Sequence, residues 1–139
     1  MPHADRVVAV IGVAVLLTAP GLGARASTAS SEWTVPEEAD SISNPVPSSP
    51  ASKGRGTLVY GQRCAMCHGV QGRGDGPSSL SLGTRPADLA GPEIRAQSDG
   101  RLFWKIAIGR GPMPSWDVVL SEEDRWHVIN FLRALPPSP

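Results

Sequence analysis

Apolar or small residues recur at helical spacing in three stretches of this chain, and no stretch alternates as a half-buried strand would. The clearest stretch begins at Ser121-Glu122-Glu123-Asp124, which has the pattern of a capping box. The apolar positions that follow are Val128, Ile129, Leu132 and Leu135. This spacing predicts a helix with one buried face that ends before Pro136 and Pro137.

A first helix is predicted over residues 54–67. Gly56, Tyr60 and Cys64 recur every four positions there and therefore lie on one face. Since glycine has no side chain, Gly56 would let another helix approach closely.

The middle helix is predicted to run from Ser98 or Asp99 to Ile108, with Gly109 as its C-terminal cap. Its apolar stripe consists of Leu102, Phe103, Ile106 and Ala107. Residues 69–92 hold six glycines and three prolines, a composition that predicts mostly loop. The fold class predicted is therefore all-α, with about three main helices.

The first 26 residues have the pattern of a secretory signal peptide. Arg6 precedes an apolar run over residues 7–17, and Ala24-Arg25-Ala26 forms a small-x-small cleavage site. A retained membrane anchor is the alternative, but the run is short, because a spanning helix needs about 20 apolar residues. We therefore expect cleavage and a mature N-terminus at Ser27.

Residues 27–52 are rich in serine and proline, which predicts an extended arm without helix or sheet. A disordered linker is the alternative, although Trp33 favours an arm that lies partly on the domain surface. Residues 53–139 are predicted to form one domain, whose folded part ends at Leu135. A core of this size is marginal by itself.

The charge balance gives no reason to expect a polyanionic partner. Without residues 1–26, which hold Arg6, Arg25 and Asp5, the chain has 11 basic and 12 acidic side chains, a formal charge of −1. Such a balance does not indicate binding to nucleic acid or to an anionic membrane surface.

Both cysteines of the chain lie in the motif Cys64-Ala65-Met66-Cys67-His68. The C-x-x-C-H spacing is typical of covalent haem c attachment, in which two thiols add to the haem vinyl groups and the histidine ligates the iron. A thioredoxin-like motif needs a βαβ context, a zinc site needs four protein ligands, and a simple disulfide leaves His68 unexplained. We therefore predict one covalent haem, which would also supply the apolar centre that this small core needs.

Two residues after His68 are candidates for the second axial ligand. Met113 stands in a loop between two prolines, 45 residues after His68. For a methionine in such a loop, packing in the core is a weaker interpretation than ligation of the iron. His127 lies within the last helix and would give bis-His coordination. Met66 is inside the attachment motif and cannot reach the opposite haem face. The iron ligands expected are therefore His68 and Met113.

Five motifs together resemble a known family. They are Gly56-x-x-x-Tyr60-x-x-x-Cys64-x-x-Cys67-His68-Gly69, Gly74-Asp75-Gly76-Pro77, Arg85-Pro86-Ala87-Asp88-Leu89, Gly109 through Met113-Pro114, and the helix from Trp126 to Leu135. They span nearly all of residues 53–135. The chain resembles the class I monohaem cytochromes c, of the bacterial kind related to the cbb3-type oxidase haem subunits.

The resemblance implies a small all-α cytochrome c fold wrapped around one haem. The first and last helices would cross where Gly56 and Tyr60 meet Phe131. The carbonyl of Pro77 would accept the Nδ1 proton of His68. The candidates for contact with the haem propionates are Arg85, Trp104 and Trp116.

A six-coordinate iron has no vacancy for substrate, so the expected function is electron transfer and the protein is not expected to be an enzyme. Its partners would be a redox donor and a redox acceptor, expected among membrane respiratory complexes, with no small-molecule substrate. One alternative is a haem c subunit of a dehydrogenase or oxidase complex, docked through the arm. Another is a haem enzyme or gas sensor with a labile sixth ligand.

Export implies a periplasmic location. Membrane association through a partner or through an uncleaved N-terminus is the alternative that the sequence leaves open.

Overall fold

Five α-helices and two short 3₁₀ turns make up the regular structure of Met1 and residues 33–139, the part of the chain that the computed structural model describes. The helices are α1 (Pro50–Arg63), α2 (Ala65–His68), α3 (Pro92–Arg95), α4 (Asp99–Ile108) and α5 (Glu122–Ala134). Within these residues the β structure is limited to an isolated bridge between Arg110 and Met113. The all-α class is confirmed. None of the described helices is long and apolar enough to cross a membrane.

The predicted signal peptide, apart from Met1, and residues 27–32 of the predicted arm lie outside the described residues. Residues 33–139 form one compact unit, so the rest of the predicted arm belongs to the same unit as the helices.

The first helix begins at Pro50, four residues before the predicted start. Ser49 is its N-cap, and the Ser49 hydroxyl accepts a hydrogen bond from the Ser52 amide at 3.1 Å. Pro50 fits the first helical position because proline has a suitable φ and needs no amide partner there. The Ser-Pro pair that indicated an extended arm is therefore a helix start.

Helices α1 and α5 cross at Gly56. A Cβ placed on Gly56 would lie 2.1 Å from the carbonyl oxygen of His127 and 2.8 Å from the Cβ of Phe131. One turn later, the rings of Tyr60 and Phe131 lie 4.8 Å apart. The contact that the resemblance implied between the first and last helices is confirmed, and it depends on the missing side chain of Gly56.

The serine cap predicted at the start of α5 and the glycine cap predicted at the end of α4 are confirmed, and Ser98 caps the start of α4 as well. The hydroxyl of Ser98 accepts from the Arg101 amide, and the hydroxyl of Ser121 accepts from the Asp124 amide, each at 3.1 Å. Gly109 ends α4 with a φ of 68°, a backbone conformation that favours glycine.

Two buried clusters form the core. The larger joins α1 to α5 and consists of Val59, Tyr60, Ala90, Leu120, Val128, Leu132 and Leu135. The smaller joins α4 to α5 and consists of Leu102, Trp126 and Ile129. Helix α5 therefore stands between the other two main helices and contributes to both clusters.

Residues 33–49, which we call the arm, lie on α4 and α5. Val35 and Ala39 are buried, and a 3₁₀ turn runs over Glu37–Ser41. The Asp40 carboxylate accepts hydrogen bonds from Ser98 at 2.7 Å and from Arg101 at 2.9 Å. The arm is thus attached to the start of α4 by both packing and charge.

The close approach at Gly56 predicts that alanine substitution has different effects on stability at two glycines of α1. We expect Gly56→Ala to lower the free energy of unfolding by about 2 kcal/mol, because its Cβ would push on the α5 backbone. The matched control is Gly54→Ala, whose Cβ would meet nothing within 4 Å and which should gain up to about 1 kcal/mol of helix propensity. Denaturant titration of the haem-loaded protein measures both, and equal effects would contradict the crossing.

Candidate functional site

Both thiols and the imidazole of the C-x-x-C-H motif lie within a single helical turn. The Cys64 amide ends α1 by donating to the Tyr60 carbonyl at 2.8 Å, and the His68 amide donates to the Cys64 carbonyl at 2.9 Å. Cys64 and Cys67 are free and half-buried. Burial raises the pKa of the Cys64 thiol to about 12, so this group is a neutral thiol near neutral pH.

A glycine-rich loop closes on the carbonyls of this attachment turn. The carbonyls of residues 66, 67 and 68 accept from the amides of Ser78 at 2.9 Å, Gly76 at 3.2 Å and Gly74 at 2.8 Å. A Cβ on Gly76 would lie only 2.4 Å from the Met66 carbonyl oxygen. The loop therefore supplies partners for carbonyls that a helix end leaves unpaired, and glycine permits the approach.

The residue after the motif is fixed from the other side by Tyr60. Its hydroxyl donates to the Gly69 carbonyl at 2.7 Å, and Tyr60 is 2% exposed. Gly69 itself has a φ of 78°. This bond connects the α1–α5 crossing directly to the attachment turn.

The Nδ1 atom of His68 lies 3.2 Å from the carbonyl oxygen of Ala87. Nδ1 can donate its proton there, which leaves the lone pair of Nε2 for a metal. Burial lowers the pKa of His68, although the hydrogen bond to Ala87 acts in the opposite direction. The net effect favours the neutral imidazole that ligation requires.

The resemblance implied Pro77 as this acceptor, and the structure places Ala87 there instead. The amides of Gly76 and Ser78, on either side of Pro77, are already bonded to the attachment turn, and Pro77 is exposed. The segment that holds Ala87 comes close because Gly74 has no side chain: a Cβ there would lie 2.2 Å from the Pro86 carbonyl oxygen. A backbone acceptor of this kind leaves no side-chain signal in the sequence.

Met113 closes a tight turn that begins at Arg110. The Arg110 amide donates to the Met113 carbonyl at 2.8 Å, and the Met113 amide donates to the Arg110 carbonyl at 3.0 Å. Met113 is half-buried. Three residues later, Trp116 packs on the larger core cluster, as do Cys64 and Ala65. The loop that carries Met113 and the attachment turn thus border the same cluster.

The three predicted propionate contacts lie in different surroundings. Arg85 is exposed and lines an open cavity of about 430 Å³ together with Asp75 and Leu80. Trp104 and Trp116 are half-buried. The backbone amide of Trp116 donates to the Ala107 carbonyl at 3.0 Å.

The ring nitrogens of His127 have partners within the chain. Nδ1 lies 2.8 Å from the hydroxyl of Ser52, which in turn accepts from the Asn130 amide group at 2.8 Å. Nε2 lies 3.7 Å from the Glu123 carboxylate. His127 therefore joins α1 to α5 through side-chain contacts.

Arg125 is a candidate that the sequence reasoning missed. It is 8% exposed, and its guanidinium carbon lies 4.7 Å from the Phe103 ring centroid. Its Nε and Nη1 atoms are buried without a hydrogen-bond partner in the described part of the chain. A signal was present, because Arg125 shares its helical face with Val128 and Leu132.

These side chains fit a haem group on two counts. The two free thiols and the Nε2 atom of His68 form the donor set that covalent attachment and axial ligation need. Arg125 is a buried cation with unsatisfied donors, and a haem carries two carboxylates that suit such a group.

The family of proteins described as "Cytochrome C oxidase, cbb3-type, subunit III" has a model that matches residues 51–132. The matched segment holds almost all of α1, the attachment turn, α4 and most of α5. No curated protein matches the chain significantly.

Three solved structures are similar to this chain. One is a chain of the reducing HAO-like protein complex Kustc0457/Kustc0458 of Kuenenia stuttgartiensis, with 27% identity and a TM-score of 0.59 over 66% of this chain and 47% of that one. This chain therefore spans about half the length of that relative. Another is the KustC0563 c-type cytochrome, with 29% identity and a TM-score of 0.51 over 58% of this chain and 96% of that one.

The third is cytochrome cL from the marine methylotrophic bacterium Methylophaga aminisulfidivorans. Its identity is 20% and its TM-score is 0.52, over 67% of this chain and 57% of that one. At this identity the similarity shows the fold alone, which is again that of a small helical cytochrome.

The chain contains a single tyrosine, so the Tyr60–Gly69 bond can be followed by titration. Burial, helped by nearby negative charge, raises the pKa of Tyr60 above its ordinary 10.0. The folded state therefore retains the proton more tightly than the unfolded chain, so stability is full below pH 10 and falls as the pH rises above it. We expect tyrosinate absorbance to appear near pH 10 only in denaturant, and ionisation of the folded protein at pH 10 would contradict the burial.

Tyr60→Phe tests the hydrogen bond separately. We expect it to lower the free energy of unfolding by about 1 kcal/mol, because the Gly69 carbonyl keeps a second donor, the Gly72 amide at 3.1 Å. Denaturant titration measures this change, and an unchanged midpoint would show that the hydroxyl contributes nothing.

Proposed function

Because the chain belongs to the cbb3-type cytochrome c oxidase subunit III family, we propose that it carries single electrons through one covalently attached haem c. The observation that carries the proposal is the attachment turn. Two free thiols and a histidine with its Nδ1 on a backbone carbonyl lie there within five residues. Membership in the family implies haem c binding, and the turn supports covalent attachment at Cys64 and Cys67.

Each residue of the turn has a proposed role. The Cys64 and Cys67 sulfurs form thioethers with the haem vinyl groups, so the group stays bound in both oxidation states. His68 ligates the iron through Nε2, and the Ala87 carbonyl orients its ring. The bound haem supplies the reversible one-electron change of its iron.

Met113 is the proposed sixth ligand. Its half-buried side chain and the turn from Arg110 support this role, because the loop borders the same cluster as Cys64. His127 is the weaker candidate, since Ser52 and Glu123 already occupy its ring nitrogens. A thioether ligand favours ferrous iron and raises the reduction potential.

Electron transfer is favoured over catalysis because two protein ligands leave the iron no vacancy for a substrate. A haem enzyme or gas sensor would need a labile sixth ligand. The partners proposed are a redox donor and a redox acceptor, with membrane respiratory complexes among them.

A subunit of a larger redox complex is the second candidate function. The observation that favours it is the similarity to a chain of the Kuenenia stuttgartiensis complex, which this chain matches over 47% of that chain's length. Size-exclusion chromatography of the protein from its native cells distinguishes the two, because a free carrier elutes at the mass of one chain.

We also propose that the chain is exported to the periplasm and cleaved before Ser27. The support comes from the sequence pattern of residues 1–26. Attachment of c-type haem outside the cytoplasm agrees with this location.

A single mass measurement tests attachment and export together. We expect the acid-denatured protein from cells to have the mass of residues 27–139 plus one haem. Replacing both Cys64 and Cys67 with Ala should remove the haem mass and leave a largely unfolded chain, because so small a core depends on the bound group. A wild-type chain that loses its haem on denaturation would show that attachment is not covalent, and a mass that includes residues 1–26 would show a retained N-terminus.

The axial ligand is tested by a pair of substitutions. Met113→Ala should abolish the thioether-to-iron charge-transfer band of the ferric protein, lower the reduction potential and open the iron to CO. His127→Ala should keep the band and the potential, although loss of its contacts with Ser52 should cost about 1 kcal/mol of stability. The opposite pattern, with the ligand lost in His127→Ala, would establish bis-His coordination.

A further inference from the structure

The arm reaches the loop that carries Met113. Its first described residue, Trp33, has its ring centroid 5.5 Å from the Lys105 Nζ and 5.8 Å from the Arg110 Cζ. These distances are those of cation–π contacts. Lys105 is on the last turn of α4, and Arg110 begins the tight turn that Met113 closes. Trp33 therefore bridges the end of the helix and the start of the turn.

The arm is well placed to hold Trp33 there. Asp40 binds both Ser98 and Arg101 at the start of α4. Farther along, the Asn44 side chain donates to Asn130 on α5 at 3.1 Å. These anchors attach the arm to two helices on the C-terminal side of Trp33.

The outer side of the turn faces solvent. Pro112 and Pro114 on either side of Met113 are exposed, and so is Arg110 itself. The turn is closed by the two hydrogen bonds between Arg110 and Met113. A contact that holds Arg110 therefore acts on the residue that pairs directly with Met113.

We propose that Trp33 is a positioning residue for the Met113 loop, so that the arm stabilises the proposed sixth iron ligand. The inference rests on the proposed function, since it takes Met113 as that ligand. Trp33 does not touch the iron site; it acts through Arg110. Loss of the Trp33 ring should raise the fraction of molecules in which the turn is open and the thioether has left the iron.

Imidazole added to the ferric, haem-loaded protein measures this fraction. An external ligand binds only molecules whose sixth position is open, so its apparent affinity rises in proportion to that fraction. We expect Trp33→Ala to bind imidazole roughly two- to tenfold more tightly than wild type, as the loss of two cation–π contacts implies. Trp33→Phe keeps an aromatic face and should bind nearly as weakly as wild type.

Arg55→Ala controls for a general loss of stability. It removes the ion pair between Arg55 and Asp124, 2.6 Å long, which joins α1 to α5 without contact with the arm or the turn. We expect its imidazole affinity to equal that of wild type. The positioning role is wrong if the imidazole affinity of Trp33→Ala equals that of wild type. It is also wrong if the affinity of Arg55→Ala rises as much as that of Trp33→Ala.

Met113→Ala separates this inference from the proposed function. If it binds imidazole much more tightly than wild type while Trp33→Ala does not, Met113 is the ligand and only the role of Trp33 fails. If Met113→Ala binds imidazole no more tightly than wild type, Met113 is not the ligand, and both its assignment and the role of Trp33 fail.

Discussion

The close approach of α1 to α5 at Gly56 positions the attachment turn. Gly56, Tyr60 and Cys64 stand one turn apart on the same face, and the helical hydrogen bonds fix their relative positions. Once Gly56 meets the backbone of α5, Tyr60 is held against Phe131 and its hydroxyl against Gly69. The attachment turn between Cys64 and Gly69 is thus held at both ends by residues of one helix.

Local and periodic features of this fold were predictable from sequence. The cap at Ser121 and the end at Gly109 depend on residues close to them in the chain, and the structure confirms both. The start of α1 was predicted too late, because a Ser-Pro pair suits an extended segment as well as a helix start. Local sequence does not decide between these two states, whereas packing of the first turn on α5 does.

Contacts that depend on the tertiary fold were harder to predict from the sequence. Ala87 meets His68 through a carbonyl that every residue has, so its side chain gave no indication of the role. Arginine is usually exposed, and only the position of Arg125 on the apolar face of α5 indicates that it is buried. The arm, too, is rich in serine and proline, yet Val35 and Ala39 are buried against the helices. In each case a neighbour distant in sequence decides the environment.

The polar contacts of α5 have a consequence for the order of events in the cell. Asn44 and Asn130 are separated by 86 positions, Ser52 and His127 by 75, and Arg55 and Asp124 by 69. Each pair joins the beginning of the described unit to its end, so none can form on the ribosome before nearly the whole chain has been synthesised. Contacts of such separation form slowly, because a long stretch of chain must be closed into a loop to make them. The arm and α1 therefore lack these partners until α5 has been synthesised.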